Sequence, residues 1–278
     1  MSYKRVLTIQ DISCFGQCSL TVALPIISAC GHETAILPSA VLSTHTAGFS
    51  GFTFRDLTDD MPSISAHWVK EKVTFDAFYT GYLGSKKQID YVLDIFNKNA
   101  RENAIKIVDP AMADGGKLYP AFDMDYVNEM KRLCFSADII LPNITEAAFL
   151  VGYEYKEIYD EQYIKGLLGA LENAGAKTVI LTGVGYKEGE TGVVVYKDGE
   201  YSYYNHEKLP RSCHGTGDVY ASAFVGALLC GKKEYDAAKI AADYTVLSMK
   251  KTADDETHTY GVKFEKAIPG LIKMLDLK

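Results

Sequence analysis

The sequence predicts an α/β fold in which helices flank a mostly parallel central sheet. Short apolar, β-rich runs alternate along the chain with longer segments of helical apolar spacing. This alternation is typical of parallel sheets, because each crossover between parallel strands has room for a helix. The 278 residues, 47% of them hydrophobic, suffice for a full core. No Pro-, Gly- or Ser-rich linker divides them, so we expect a single domain over residues 1–278.

Six short runs have the composition of buried strands, since they are apolar and bounded by polar or turn residues. They are residues 6–9, 34–37, 77–79, 105–108, 138–141 and 178–181. Two further strands, 192–196 and 201–204, flank the turn sequence Lys197-Asp198-Gly199-Glu200. That arrangement predicts a late hairpin after the parallel strands.

Five segments between these strands carry apolar residues at helical spacing, namely 18–30, 62–72, 85–99, 123–135 and 161–174. Proline at position 62 fits the first turn of a helix. The sequence Ser85-Lys86-Lys87-Gln88 is a capping box. Three more helices, centred near residues 224, 243 and 270, are predicted to close the chain.

Charge and hydropathy disfavour several classes of function. The formal net charge of −7 and the pI near 5.4 argue against nucleic acid as a partner. No stretch approaches the roughly 18 apolar residues of a membrane span. The apolar segment 6–9 is too short for a signal peptide, so we expect a cytoplasmic protein. The six cysteines show no C-x-x-C pair or zinc-ligand spacing, and reduced thiols are expected.

A glycine turn that opens directly into an apolar helix is the most informative motif. His214-Gly215-Thr216-Gly217-Asp218 precedes the apolar run 219–229. The glycines allow positive φ and leave amide N–H groups free, and the helix dipole adds positive charge, so the turn predicts a phosphate site. A carboxylate at Asp218 would repel phosphate unless it has a chemical task, such as taking a proton from an attacking alcohol. The motif therefore indicates phosphoryl transfer to a hydroxyl.

A plainer interpretation of the same residues is an ordinary helix start. Thr216 or Asp218 could cap free N–H groups, since both residue types favour that position. Cys213, beside the turn, is interpreted as a small packed residue rather than as a low-pKa nucleophile, because no base is identifiable near it.

Polar segments follow the predicted strands, where ligands bind in open parallel sheets. We expect these segments, which begin at Gln10, Thr80, Asp109, Pro142 and Thr182, to face one edge. Asp109 and Glu146 are candidate Mg²⁺ ligands, because Mg²⁺ prefers one or two carboxylates plus waters and phosphate oxygens. The alternatives stay open: Asn143 with Glu146 is also a capping pair, and Asp109 before proline is also a turn.

Taken in order, the motifs of this chain resemble the ribokinase superfamily, and within it the pyridoxal/pyridoxamine kinase branch. The resemblance covers nearly the full length and implies a ribokinase-like three-layer sandwich. The motifs that carry it are Thr8-Ile9-Gln10, Leu42-Ser43-Thr44-His45-Thr46, Thr80-Gly81-Tyr82-Leu83-Gly84-Ser85, Asp109-Pro110-Ala111-Met112-Ala113-Asp114, Pro142-Asn143-Ile144-Thr145-Glu146 and Gly215-Thr216-Gly217-Asp218. A P-loop sequence is absent, as in that superfamily.

The resemblance implies ATP-dependent phosphorylation of the 5′-hydroxymethyl group of pyridoxal, pyridoxamine or pyridoxine. Asp218 matches the catalytic base, and the amides of Gly215, Thr216 and Gly217 match the anion hole. The remaining matches are Asp109, Asn143 and Glu146 to the Mg-ATP residues, Tyr119 and Thr182 to nucleotide contacts, and His45, Thr46 and Tyr82 to the vitamin B6 pocket. The resemblance further implies a monovalent cation near Asp114 and a homodimer.

Two positions depart from the branch. Asp11 stands where a Ser that contacts the pyridine ring is usual, with Ser13 two positions on, and we hypothesise that Asp11 favours the cationic aminomethyl group of pyridoxamine. It could also merely cap the following turn. Leu141 replaces a common Thr, which bears on the monovalent cation site.

Three other functions are compatible with the same motifs. A hydroxymethylpyrimidine kinase would keep the ATP residues and change only the ring pocket, and it is the leading alternative. A repair enzyme for hydrated nicotinamide cofactors would share the phosphate turn. A non-catalytic vitamer or ATP sensor is disfavoured because Asp218 is retained.

Overall fold

The structure of the protein, a computed structural model, describes residues 3–211 and 213–277. Within them the strands are β1 (Arg5–Ser13), β2 (Glu33–Leu42), β3 (Phe54–Asp56), β4 (Phe75–Thr80), β5 (Ala100–Val108), β6 (Ala113–Asp114), β7 (Lys117–Leu118), β8 (Ile139–Ile140), β9 (Thr178–Thr182), β10 (Glu190–Lys197) and β11 (Glu200–Glu207). The α-helices are α1 (Leu20–Ala29), α2 (Met61–Lys70), α3 (Lys86–Lys98), α4 (Met124–Ser136), α5 (Ile144–Val151), α6 (Glu161–Asn173), α7 (Thr216–Leu229), α8 (Glu234–Thr252) and α9 (Ile268–Met274).

Nine strands form one central sheet in the order β11-β10-β9-β8-β5-β4-β1-β2-β3. The six inner strands from β9 to β2 pair in parallel. The outer strands β3, β10 and β11 are antiparallel to their neighbours. A separate two-stranded hairpin, β6-β7, lies between β5 and α4 in the chain. The mostly parallel sheet confirms the predicted fold class.

Each face of the sheet carries its own hydrophobic core. Along β1, Leu7 joins the core that packs against α2 to α6, whereas Val6 joins the core under α1, α7, α8 and α9. β4 alternates in the same way, since Phe78 faces the first core and Tyr79 the second. Helix α7 is buried from Val219 to Ala227, which explains its continuous apolar run. The molecule is the three-layer sandwich that was expected.

All six predicted parallel strands and the late hairpin are confirmed, with shifted ends. The strand predicted at 138–141 is only the pair Ile139–Ile140. The sequence predictions omit β3, β6 and β7, because these strands are short and β3 is exposed at every residue, so no apolar alternation marks it. The chain also has no helix, among the described residues, long and apolar enough to cross a membrane.

The predicted capping box at Ser85 is half right. The Ser85 hydroxyl accepts a hydrogen bond from the Gln88 backbone N–H at 3.3 Å, as predicted. The side-chain oxygen of Gln88, however, accepts from the N–H of Gly84 at 2.7 Å instead of from Ser85. The reason is burial: the Gln88 amide is held in the interior, where its Nε2 donates to the backbone oxygen of Ser39 and to the hydroxyl of Thr58.

Candidate active site

A cleft of about 420 Å³ opens at the carboxyl ends of the parallel strands. The cleft is lined by the start of α7, with Gly215, Thr216, Gly217 and Asp218. It is also lined by every residue predicted to contact Mg-ATP, which are Asp109, Tyr119, Asn143, Glu146 and Thr182. Of the five segments expected at this edge, those that begin at Asp109, Pro142 and Thr182 therefore line the cleft. Parallel strands point their carboxyl ends the same way, so separate segments converge there.

The glycine turn presents the uncapped end of a helix to this cleft. Gly215 has φ 73° and ψ 4°, and a Cβ there would collide with the carbonyl oxygen of Gln17. No side chain among the described residues caps α7. The Thr216 hydroxyl instead donates to the carbonyl oxygen of Cys213 at 3.2 Å. The capping interpretation is therefore wrong for Thr216, and the first-turn N–H groups remain available to an anion.

Asp218 is not a cap either, because among the described residues no N–H group of its own helix donates a hydrogen bond to its carboxylate. Its Oδ2 accepts a hydrogen bond from the backbone N–H of Ser19 at 2.9 Å. Burial raises the pKa of Asp218 to about 6, the Ser19 N–H lowers it, and the charge of Asp11 raises it. A carboxylate with this pKa is largely ionised at pH 7 yet basic enough to accept a proton, as general-base catalysis requires.

Asp109, which is half-buried, and Glu146, which is buried, both line the cleft and interact through their charges. Burial, followed by the charges of Glu146 and Asp218, raises the pKa of Asp109 well above its ordinary value. Burial also raises the pKa of Glu146 to about 7, although three backbone N–H groups act against it. Two desolvated carboxylates that repel one another gain from a bound cation. The described residues contain no group of three or more metal-type ligands, but Mg²⁺ needs only one or two carboxylates when phosphate and water complete its shell.

The capping interpretation of Asn143 and Glu146 is correct, and the same residues line the cleft. Asn143 Oδ1 accepts from the Glu146 N–H at 2.9 Å, and Glu146 Oε2 accepts from the Asn143 N–H at 2.9 Å. Glu146 Oε1 accepts from the N–H of Met112 at 3.0 Å, and Asn143 Nδ2 donates to the carbonyl oxygen of Ala113 at 2.8 Å. The pair thus ties the start of α5 to the segment that follows Asp109.

One wall of the cleft consists of residues that sequence reasoning missed. They come from β10, β11 and α8, and they are Thr191, Gly192, Val193, His206, Ala242, Thr245 and Met249. Helix α8 packs against both strands, which brings these distant segments together. None of them belongs to a recognisable motif. Only the tertiary arrangement reveals this wall.

The residues predicted for the vitamin pocket lie outside this cleft. Asp11 and Ser13 are buried, and the Ser13 hydroxyl donates to Asp11 Oδ2 at 3.2 Å. Burial raises the pKa of Tyr82, and the nearby charge of Asp11 raises it further. Thr46 is exposed. Among these residues, the structure thus brings Asp11, Ser13 and Tyr82 close to one another.

His45 lies between the vitamin segment and the phosphate turn. Its ring is buried, with its centroid 5.0 Å from that of Phe49 and 5.8 Å from that of His214. Burial, and then the charge of His214, lower its pKa, so the ring is neutral at pH 7. Neither ring nitrogen has a hydrogen-bond partner among the described residues, so the pocket-lining interpretation of His45 stays a prediction.

Asp114, Leu141 and Cys213 differ in their exposure to solvent. Asp114 is exposed in the β6-β7 hairpin, where its Oδ1 accepts from the N–H of Gly115 at 2.8 Å. Leu141 is buried and lines the cleft. Burial raises the pKa of the Cys213 thiol, which agrees with a packed residue and not with an activated nucleophile.

Comparison with known proteins shows full-length similarity to small-molecule kinases. The family described as phosphomethylpyrimidine kinase matches residues 26–262. A protein of Bacteroides thetaiotaomicron, assigned as a phosphomethylpyrimidine kinase and crystallised with pyridoxal, is 37% identical with a TM-score of 0.90, covering 97% of this chain and 96% of its own. Pyridoxal kinase from Lactobacillus plantarum is 31% identical with a TM-score of 0.91, covering 98% of each chain. Pyridoxal kinase from Arabidopsis thaliana is 26% identical over 90% of this chain and 83% of its own.

The geometry of the glycine turn predicts that Gly215→Ala unfolds more easily than the parent. Alanine at φ 73° is strained and its Cβ meets the backbone of Gln17, so we expect a loss of about 2 kcal/mol or more in the free energy of unfolding. Gly217→Ala is the matched control, since a Cβ there meets no atom within 4 Å. Urea denaturation of the three proteins measures the difference, and equal stability of the two variants would contradict this account of the turn.

Proposed function

The chain belongs to the phosphomethylpyrimidine kinase family, and we propose that it transfers the γ-phosphoryl group of ATP to the 5′-hydroxyl of pyridoxal, pyridoxamine or pyridoxine. The observation that carries this proposal is the cleft in which an uncapped helix N-terminus and a half-buried carboxylate of raised pKa lie together. An anion site beside a base is what phosphoryl transfer to an alcohol needs. The similarity to proteins named as pyridoxal kinases supports the choice of alcohol.

In this proposal each part of the cleft has one task. Asp218 accepts the proton of the substrate hydroxyl as that oxygen attacks the γ-phosphorus, and the bond to the β-phosphate oxygen breaks. The amides of Gly215, Thr216 and Gly217 donate hydrogen bonds to the transferring phosphoryl group. Asp109 and Glu146 hold Mg²⁺, which would neutralise part of the charge on the phosphates when bound. Tyr119, Asn143 and Thr182 position the nucleotide.

The choice of ring distinguishes the proposed substrate from the leading alternative. A hydroxymethylpyrimidine kinase would use the same cleft, and the family description favours that alternative. The vitamin B6 assignment is supported by the 31% identical pyridoxal kinase and by the 37% identical protein crystallised with pyridoxal. We propose that His45, Thr46 and Tyr82 contribute to the ring pocket, with Asp11 and Ser13 at its floor.

Three further expectations extend the proposal. A monovalent cation would bind near Asp114. The protein would form a homodimer, as the resemblance to B6 kinases implies. A cytoplasmic location would agree with the use of ATP and with six free thiols.

The Asp218→Asn variant tests the reaction and its base together. With pyridoxal, pyridoxamine, pyridoxine and hydroxymethylpyrimidine as substrates, the parent should phosphorylate the three B6 vitamers. The variant should lose about 10²- to 10⁴-fold in kcat, because asparagine cannot accept the proton. Turnover of the pyrimidine alone would move the assignment to the alternative. Binding of vitamers without turnover by the parent would indicate a sensor.

The pH dependence of kcat/KM provides a second test. Because the pKa of Asp218 is raised to about 6, its base form is lost as the pH falls through that value, and the rate should fall with it. Saturating Mg²⁺ is needed in this measurement, since the pKa of Glu146 is about 7 without a cation and its protonation would add a second limb. A rate that stays constant down to about pH 4, near the ordinary pKa of Asp, would contradict the assignment of the base.

The metal site predicts that Asp109→Asn requires more Mg²⁺ for half-maximal rate, by about tenfold or more, because a neutral amide is a weaker ligand than a carboxylate. Asp125→Asn changes the net charge equally on the exposed surface of α4 and should leave the Mg²⁺ dependence as it is. An identical response of the two variants to Mg²⁺ titration would show that Asp109 does not hold the metal.

A further inference from the structure

Ser19 adopts a backbone conformation that serine rarely takes. Its φ is 54° and its ψ is −130°, which is the mirror image of an extended residue and is normally open only to glycine. The residue is buried and stands directly before α1. Its side chain does not cap that helix. Strain of this kind persists only where surrounding contacts hold it, and it is commonly found at functional sites.

Two hydrogen bonds hold Ser19 between the sheet and the candidate base. Its hydroxyl donates to Asp11 Oδ1 at 2.6 Å, and its backbone N–H donates to Asp218 Oδ2 at 2.9 Å. Asp11 lies in an irregularity of β1, where the pairing with β2 shifts register between Gln10 and Ile12. Bulges of this kind re-aim side chains beside active sites. A chain of contacts therefore runs from the bulge through Ser19 to the carboxylate on α7.

We propose that Asp11 and Ser19 are positioning residues for Asp218. The Asp11 carboxylate anchors the Ser19 hydroxyl, the anchored residue keeps its strained backbone, and the N–H that this backbone presents holds one oxygen of Asp218. No described residue donates a hydrogen bond to the other oxygen, Oδ1, which is thus the one left to take the proton. This inference rests on the proposed function, in which Asp218 is the base.

The placement of Asp11 favours this role over direct contact with a substrate ammonium group. Only 6% of its surface is exposed, and both of its oxygens accept hydroxyl groups, from Ser19 and from Ser13. A substrate cation would have to displace or share these contacts. The two roles of Asp11 differ in what they predict, because an anchor affects the base with every vitamer, whereas an ammonium ligand affects pyridoxamine alone.

The hydrogen bond from Ser19 and the charge of Asp11 change the pKa of Asp218 in opposite directions. Burial, the largest cause, raises the pKa of Asp218, the N–H of Ser19 lowers it, and the charge of Asp11 raises it further. Other ionisable groups also face this carboxylate from the neighbouring elements, and they are Cys18, Tyr79, Asp109 and Tyr119. Variants that remove the anchor or the charge separately should therefore be distinguishable.

Asp11→Asn and Ser19→Ala make that separation. Asparagine keeps an oxygen that accepts the Ser19 hydroxyl but lacks the charge, so the acid limb of the kcat/KM profile should move to lower pH with every vitamer. Alanine lacks the anchored hydroxyl and releases the N–H from Asp218, so the limb should move to higher pH and kcat should fall at least about tenfold, with the KM for ATP unchanged.

Two further variants control for structural damage. Ser19→Gly can adopt φ 54° without strain, so it should retain more activity than Ser19→Ala if the hydroxyl serves to hold the backbone. Ser28→Ala removes an exposed hydroxyl at the other end of α1 and should leave the profile unchanged. Equal loss in the alanine and glycine variants at position 19, with the acid limb unmoved, would overturn the proposal.

The remaining outcomes separate this inference from the proposed function. If Asp11→Asn changes only the ratio of pyridoxamine to pyridoxal turnover and leaves the acid limb in place, Asp11 is a substrate ligand and the proposal is wrong. If the parent phosphorylates no vitamer, the proposed function fails by itself. NMR then still decides, because it follows the titration of the Asp218 carboxyl carbon without any substrate. The parent, Asp11→Asn and Ser19→Ala are labelled with ¹³C-aspartate, and Asp218→Asn assigns the signal. Shifts of the Asp218 pKa in opposite directions in the two variants support the positioning role, and an unchanged pKa in both overturns it.

Discussion

Burial of several carboxylates at one edge of the sheet is the constraint on which this site depends. Asp11, Asp109, Glu146 and Asp218 all have raised pKa values, and burial is the largest cause in each. For Asp218, a pKa of about 6 instead of 3.8 means that the ionised form costs the folded state about 3 kcal/mol above pH 6. Below about pH 4 the group is protonated in both states and that cost disappears. The protein therefore carries this site against its own stability, as functional carboxylates often do.

Backbone N–H groups offset this burial only in part, and the incomplete compensation suits the chemistry. Glu146 accepts from three backbone N–H groups, whereas Asp109 and Asp218 each accept from one. The negative charge of Asp109 and Glu146 favours a cation, while the uncapped start of α7, which lines the same cleft, favours an anion. A nucleotide phosphate with its divalent cation carries both kinds of charge, so one ligand can bind to both parts of the cleft.

The sequence predicted those parts of the fold and site that follow from apolar pattern and strand order. The apolar composition of buried strands makes them recognisable in the sequence. Parallel strands then place Asp109 and Glu146 at the same edge of the sheet, independently of the details of packing. The role of Ser19 could not be predicted, because its positive φ is imposed by tertiary contacts and a serine in the sequence does not indicate such a conformation. The wall formed by β10, β11 and α8 was not predicted for a different reason. Its residues are ordinary strand and helix residues, and they line a cleft only because α8 packs onto the hairpin.

Asp109 and Glu146 are unequal members of the carboxylate pair, and this inequality decides what each can reveal. Glu146 is a structural residue as well as a candidate ligand, since it caps α5 and fixes the Met112 segment through its two oxygens. A substitution of Glu146 would displace both Asn143 and the segment after Asp109. A loss of activity in such a variant could therefore not be attributed to the loss of metal binding alone. Asp109 accepts one hydrogen bond, from the N–H of Ala111 within its own turn, at 3.2 Å. Its charge can be removed with less displacement of the backbone, which makes Asp109 the residue through which cation binding and the fold can be separated.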